Sequence, residues 1–487
     1  MSTLRTASAA RRFALLVFVV VTVTQAAWIL ALPVFRGADE FDHVYRAAGV
    51  ASGQWRLTDH AADGRGLVVE VPESLVTAAS AQCESLRYTG PDNCTAIERR
   101  PDERVTIASA AGVYPPLYYA LVGYPTEAFE GAARDYALRG LSALLCGVGV
   151  AIAAWALVVA RTGPWARFGF VASLTPVLLY TTVLPAPNSF EIVAGLCVWT
   201  GLLAVARRGA GGPTGLVLLS VVSLGACVLG GIRALGPVWL VLVVVVVASF
   251  CGWSTLVNAV RSRVAVTIAG AVAVASSVAG LLWWVTSAGA IEPADVAADQ
   301  AGAAEWAGRV IAWTFQLVAA FPFRNQPAPM GVYLLYFGVV IGLLAVAVRQ
   351  AAGRPRTVLL TSIAMTLLIP VGITALTIDA NGAIWQGRYF LPFVVGILIL
   401  CGVVIDDADR PSRGRVRFIA SLPVAAAQGW SVSSVAADEA RRTATDLGPH
   451  WVTLPPLALG ALVSVAWATL ALAALRVPVP GPGPRDS

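Results

Sequence analysis

The sequence predicts an all-α, polytopic integral membrane protein of about 11 transmembrane helices with one large first extracytoplasmic loop. Three observations predict it. Apolar stretches of the length that crosses a bilayer recur along all 487 residues. Hydrophobic residues make up 57% of the chain and the mean hydropathy is +0.73, more apolar surface than soluble domains of this size bury. Short arginine clusters alternate with the apolar stretches, as topology signals do. Backbone groups in hydrocarbon must find partners within their own segment, so the spans are helices.

In chain order the expected spans are 13–35, 138–160, 168–184, 190–206, 215–230, 234–250, 264–286, 332–348, 358–377, 390–404 and 454–475. With the N-terminus inside, Arg11 and Arg12, Arg161 and Arg167, Arg207 and Arg208, Arg261 and Arg263, Arg349, Arg354 and Arg356, and the arginines of 410–417 all fall on the cytoplasmic side. The run 310–321 is too short to cross, so it reads as a half-membrane or interfacial helix. The first span follows Arg11 and Arg12 as a signal peptide would. Its apolar run is too long for an ordinary signal core and "FRGADE" is a poor cleavage site, so it reads as a retained anchor. The map divides the chain into a membrane domain at 1–405 that includes an extracytoplasmic loop at 36–136, a cytoplasmic loop at 406–452, and a last span with a Pro-rich tail at 453–487.

Charge and cysteine usage narrow the class further. All 34 basic residues are arginine, as a GC-rich genome would produce, and they cluster between spans. The net charge of +6 therefore reports topology, and no nucleic-acid partner is expected. Cys83 and Cys94 lie in the exported loop and are the candidate disulfide, while the other five cysteines lie in or beside spans as small packing residues. Neither C-x-x-C nor H-E-x-x-H occurs, so no metal site is expected.

The stretch "RGADEFDHVYRAAGVASGQW" sets Asp39, Glu40, Asp42 and His43 within five residues where the first span ends, in a chain only 13% charged. As a helix it carries Asp39, Asp42 and His43 on one face, with Glu40 about a quarter turn away. Two readings are open. The acids favour the positive end of the helix, with Asp39 as its cap; or one carboxylate withdraws a proton from an acceptor hydroxyl, with His43 or Tyr45 positioning it.

D-E-x-x-x-Y followed by G-x-W, as in "DEFDHVYRAAGVASGQW", resembles the start of the first exported loop in GT-C fold glycosyltransferases that take sugars from polyprenyl phosphates, such as the aminoarabinose and mannosyl transferases. "YPPLYYALVGYPTEAF" and "ARDYALRGLSALL" resemble their P-P-L-x-Y-W helix and the R-x-x-S-A-L start of the second span. The fullest resemblance, over most of 13–405, is to a bacterial family of predicted membrane proteins termed domain of unknown function 2142. It also covers "LPAPNSFEIVAGLCVW" and "WQGRYFLPFV". Two departures stand out: the aminoarabinose-type enzymes carry Lys before P-P-L where this chain has Val113 and Tyr114, and many members of the uncharacterised family read N-P-D where this chain has Asn188, Ser189 and Phe190.

The resemblance implies a multi-pass enzyme of the cell membrane whose site faces the extracytoplasmic side. It would move a sugar from a polyprenyl-phosphate donor to a cell-envelope glycan or glycolipid, with no cofactor. Asp39 is then the first candidate for the base and Glu40 the second, with His43 beside them. Arg233, in a short outer turn "GGIRALGP", and Arg388, in "IWQGRYFLP", are the candidates for the leaving phosphate, with Arg324 third. Arg233 also reads as an interfacial snorkelling residue and Arg388 as a companion of the aromatic belt. Asp42, Tyr45, Tyr114, Tyr118, Asn188, Glu191 and Gln386 are candidate substrate contacts, and Tyr119 shares the expectation for Tyr114 and Tyr118 that they stack on sugar or line a prenyl groove. A transporter or flippase of lipid-linked sugars shares the spans and the cationic pocket without needing the base. A non-catalytic envelope scaffold needs neither.

Overall fold

The computed structural model describes residues 2–37, 39–84, 89–260, 264–288, 303–321, 326–381, 385–408, 414–446 and 453–476. Helix α1, Ser2–Ala31, enters the bundle and stops just before Pro33, whose ring cannot continue it. The segment between α1 and α6 follows as α2 (Glu40–Ala51), β1 (Leu67–Pro72), α3 (Glu73–Glu84), α4 (Pro91–Cys94), β2 (Glu98–Arg100), β3 (Arg104–Ser109) and α5 (Pro116–Gly123). Its three strands form an antiparallel sheet in the order β1-β3-β2, a small addition to the expected all-α fold. Leu67, Val69 and Val71 alternate inward along β1 with the period of two that buries one face of a sheet. Val69 and Val71 pack with Phe41, Val44, Cys83 and Cys94 in a second core, which also takes in Leu138 and Ile232 from the bundle. Cys83 and Cys94 are disulfide-bonded, 11 residues apart in sequence.

The bundle continues with α6 (Gly131–Val159), α7 (Pro164–Ser173), α8 (Pro176–Thr181), α9 (Pro187–Arg208), α10 (Gly212–Ile232), α11 (Gly236–Cys251), α12 (Trp253–Val260), α13 (Val264–Ala288) and α14 (Ala303–Gln316). It closes with α15 (Met330–Gln350), α16 (Gly353–Asn381), α17 (Leu391–Asp407), α18 (Gly414–Asp446) and α19 (Pro456–Arg476). Among the described residues nine helices are long and apolar enough to cross a membrane, or ten if α11 and α12, bent by 103° at Gly252, make one broken span. The eleventh expected span, 168–184, is broken between α7 and α8, where Pro176 removes a backbone donor. The break is tolerated because it is buried in protein and its carbonyls are satisfied: Gln428 Nε2 donates to the Leu174 carbonyl at 2.6 Å and Tyr336 Oη to that of Ala172 at 2.6 Å. Helix α14, 14 residues and about 21 Å long at 1.5 Å per residue, is short of a full crossing, as the run 310–321 suggested.

Residues 406–452, expected as a cytoplasmic loop, contain the 33-residue helix α18, and 447–452 lie outside the described residues. It follows α17, whose end is tied to α7 and α9: Asp406 accepts from the backbone of Trp165 and Ala166, and Asp407 pairs with Arg207. At its far end Glu439 meets Arg36, just beyond α1, at 2.8 Å. From 414 to 439 a helix rises about 38 Å, more than the hydrocarbon thickness. The sequence hid this helix because polar residues interrupt its buried side: Ser421, Gln428, Ser431 and Glu439 are at 0% exposure among Val424, Ala427, Val432 and Ala436. A crossing by α18 would place a cysteine at the exposed Thr453 on the same side as one at Thr58, between α1 and α6, so that both react with an impermeant thiol reagent while one at Gly211 does not. Labelling of Thr453→Cys with the Gly211→Cys pattern would contradict the crossing by α18.

Candidate active site

The site begins with how the chain leaves α1. Arg139, on α6 and fully buried, donates from Nη1 to the Leu32 carbonyl at 2.9 Å and from Nη2 to that of Pro33 at 2.7 Å, satisfying acceptors at the end of α1. The same guanidinium holds Glu40, Nε to Oε1 at 2.7 Å and Nη2 to Oε2 at 2.6 Å. Asp135, one turn earlier on α6, lies 3.4 Å from Arg139 Nε and accepts from the Phe35 backbone N–H at 3.0 Å. Glu40 Oε2 also accepts from the Gly37 N–H at 2.7 Å. The turn 32–40 is thus fixed at several points, and Asp39 stands at its end with φ 55° and ψ 21°, a left-handed conformation costly for a residue with a Cβ. Its side chain makes no cap hydrogen bond to α2, so the capping reading of Asp39 fails.

Glu40 is removed from the candidate bases, since it has no exposed surface and both oxygens are engaged by Arg139. Its part is to fix the turn that presents Asp39. Asp42 is likewise structural: Oδ1 accepts from the Ala110 N–H at 2.7 Å while its carbonyl accepts from Ser109 Oγ at 2.7 Å, which ties α2 to the 3-10 turn Ala110–Val113. Tyr45 lies in the core formed around α2 and the small sheet, beside Phe41, and Tyr118 is buried with its hydroxyl 2.8 Å from Ser142 Oγ. Neither lines the cleft.

What converges is a smaller set. Asp39, His43, Tyr114, Asn188, Arg233, Arg388 and Tyr389 line one small open cleft, together with Thr181, Leu184 and Ala186. The segment between α1 and α6 brings the first three, the start of α9 brings Asn188, the α10–α11 turn brings Arg233, and the 3-10 turn Gly387–Phe390 before α17 brings the last two. That last turn sits where it does because Gly387 lies against α14: a Cβ there would be 2.3 Å from the Trp313 carbonyl, and its N–H donates to Gln316 Oε1 at 2.7 Å. On the other side α5 meets α2 at backbone distance, since a Cβ on Gly123 would be 2.5 Å from the Ala47 carbonyl.

Both arginines lie near a carboxylate. Arg233 Nη1 is 3.0 Å from Glu191 Oε2, with Tyr389 and Tyr114 under its guanidinium at 5.0 and 5.9 Å. Arg388 Nη2 is only 3.9 Å from Asp39 Oδ2, a weaker contact, and its buried Nε has no hydrogen-bond partner among the described residues. Burial and the Glu191 carboxylate act against each other on Arg233; the carboxylate prevails and holds its pKa above the usual value, so it stays charged. Burial pushes His43 down to about 4, with the two arginines adding to the effect and Asp39 opposing it, so the imidazole is neutral at neutral pH.

Gln386 is buried behind the cleft with Oε1 unpartnered among the described residues, and Arg324 lies outside the described residues. No group of three or more metal-ligating side chains occurs among the described residues. Two members of the cleft's surroundings escaped the sequence reading. Tyr389 was overshadowed by its neighbour Arg388. Arg139 was legible as an i, i+4 partner of Asp135 at the start of a span, a spacing that pairs charges on a helix face.

Two comparisons with known proteins give matches. The structure is similar to the crystal structure of ArnT from Cupriavidus metallidurans bound to undecaprenyl phosphate, at 14% identity and a TM-score of 0.46, over 95% of this chain and 76% of that one. A comparison with curated proteins finds no match. The family model described as "Predicted membrane protein (DUF2142)" matches residues 22–397. A match of that extent takes in α2, the arginine turn after α10 and the Gly387–Phe390 turn, and the chain belongs to the DUF2142 family of predicted membrane proteins.

Proposed function

We propose that the protein is a membrane glycosyltransferase that moves a sugar from a polyprenyl-phosphate donor to a cell-envelope glycan or glycolipid on the extracytoplasmic side. The observation that carries this reading is the convergence of Asp39, Arg233 and Arg388 in one cleft at the end of the bundle capped by the exported segment. A buried arginine with an unpartnered Nε is costly unless an anion or water meets it, and a lipid phosphate supplies that anion. The disulfide Cys83–Cys94 supports the extracytoplasmic side, since such bonds persist in oxidising compartments.

The chemistry follows from the residues. Asp39 takes the proton of the acceptor hydroxyl as its oxygen attacks the anomeric carbon. The bond from that carbon to the lipid-phosphate oxygen breaks, and the electron pair leaves with the phosphate. Arg388 and Arg233 stabilise the growing negative charge in a site shielded from bulk water. Tyr114 and Tyr389 offer ring faces for the sugar.

Arg388 is the cleaner test of the phosphate contact, because Arg233→Gln would also strand buried Glu191. Arg388→Gln should insert and fold, yet lose about 3 kcal/mol of transition-state stabilisation. Transfer of radiolabelled sugar from a polyprenyl-phosphate donor in proteoliposomes measures it. Parental transfer by a correctly inserted Arg388→Gln protein would remove Arg388 from the site.

A further inference from the structure

We propose that Tyr119 is a positioning residue that holds His43 as its Nε2–H tautomer, so that His43 presents the cleft with a hydrogen-bond donor and not a base. His43 Nδ1 lies 2.7 Å from Tyr119 Oη, and the two rings are within 18° of parallel. Two arrangements satisfy that distance. Either the phenol donates to a bare Nδ1, or a protonated Nδ1 donates to the phenol oxygen.

Burial decides between them. Tyr119 has no exposed surface, and His43 is its one hydrogen-bond partner among the described residues. Were Nδ1 to carry the proton, the phenol hydrogen would be stranded without an acceptor. With the phenol as donor, only an oxygen lone pair is left over, the lesser loss. The surroundings favour the same state: the Arg46 guanidinium stands 5.8 Å over the Tyr119 ring, and burial of His43, with Arg233 and Arg388 in the same cleft, outweighs the Asp39 carboxylate there, so a second proton on the imidazole is disfavoured. A neutral ring with Nδ1 accepting must carry its proton on Nε2, the nitrogen left for the cleft.

This assignment has a chemical consequence, which rests on the transferase reading. An N–H donor beside two guanidinium groups suits a phosphate oxygen of the donor, and the proton of the acceptor hydroxyl is left to Asp39 alone. Tyr119 and Tyr118 are adjacent, and helical geometry turns only one toward His43. The other meets Ser142.

The test reads the tautomer without turnover. The full chain labelled with 15N-histidine contains three histidines, and His43→Gln assigns the signals of interest. In long-range 1H–15N spectra of the protein in micelles, His43 should show a protonated Nε2 and an unprotonated Nδ1. In Tyr119→Phe that preference should be lost, with both tautomers in exchange. A protonated Nδ1 in the parental protein overturns the proposal by itself, and so does a Tyr119→Phe spectrum that keeps the parental tautomer. Absence of sugar transfer would instead overturn the enzymatic reading, and the tautomer assignment would still be decided by the spectra.

Discussion

Replacing Arg139 by Gln should destabilise the folded protein by roughly 3 to 5 kcal/mol, the cost of leaving buried charges without their partner. Arg139, Glu40 and Asp135 have no exposed side-chain surface, so the two carboxylates would face each other in a medium that cannot solvate them. The loss extends further, because the same guanidinium holds the carbonyls of Leu32 and Pro33. Thermal unfolding in detergent, followed by the exposure of buried cysteines such as Cys146 and Cys401 to a fluorogenic thiol reagent, measures the change. Arg139→Lys keeps the charge and loses the fork of donors, and should fall between Gln and the parental protein. A parental unfolding midpoint for Arg139→Gln would show that the turn 32–40 is held by something else.

Asp39→Asn should behave in the opposite way, folded but inactive. Its side chain makes no cap hydrogen bond to α2 and lies 3.9 Å from Arg388 Nη2, and Asn keeps its size and shape. The change removes the basicity on which proton withdrawal depends, and transfer should fall roughly 10²- to 10⁴-fold with donor binding nearly intact. Glu40→Gln separates the two roles: it breaks the pair with Arg139 and should lower stability in the manner of Arg139→Gln. If Glu40→Gln folded normally and abolished transfer while Asp39→Asn kept it, the assignment of the base would be reversed.

Hydrophobic length and arginine spacing sufficed for the membrane class and for the helices that face lipid, because lipid imposes one simple rule on them. They missed the break between α7 and α8 and the helix α18. Helix α7–α8 could break at Pro176 because Gln428 and Tyr336 complete its backbone, and α18 could carry buried polar residues for the same reason. Such partnerships lie far apart in sequence and leave no local pattern. The cleft divides in the same way. Helical periodicity put Asp39, Asp42 and His43 on one face of α2, but the partner of each carboxylate decided its role: Asp42 met the Ala110 N–H, Glu40 met Arg139, and Asp39 was left at the cleft. Arg233 and Arg388 were legible as arginines outside the cytoplasmic clusters. The approach of Arg233 to Glu191 and of Arg388 to Asp39 came only with the packing of distant elements.

The measurement that bears most directly on the proposed activity uses oriented proteoliposomes containing radiolabelled polyprenyl-phosphate sugars and an envelope-glycan acceptor extract. The parental protein should move label from lipid to acceptor and release polyprenyl phosphate, and Asp39→Asn, inserted and folded, should do neither. Label that crosses the bilayer while still attached to its lipid, at equal rates in the two proteins and without reaching the acceptor, would contradict a transferase and identify a transporter of lipid-linked sugars.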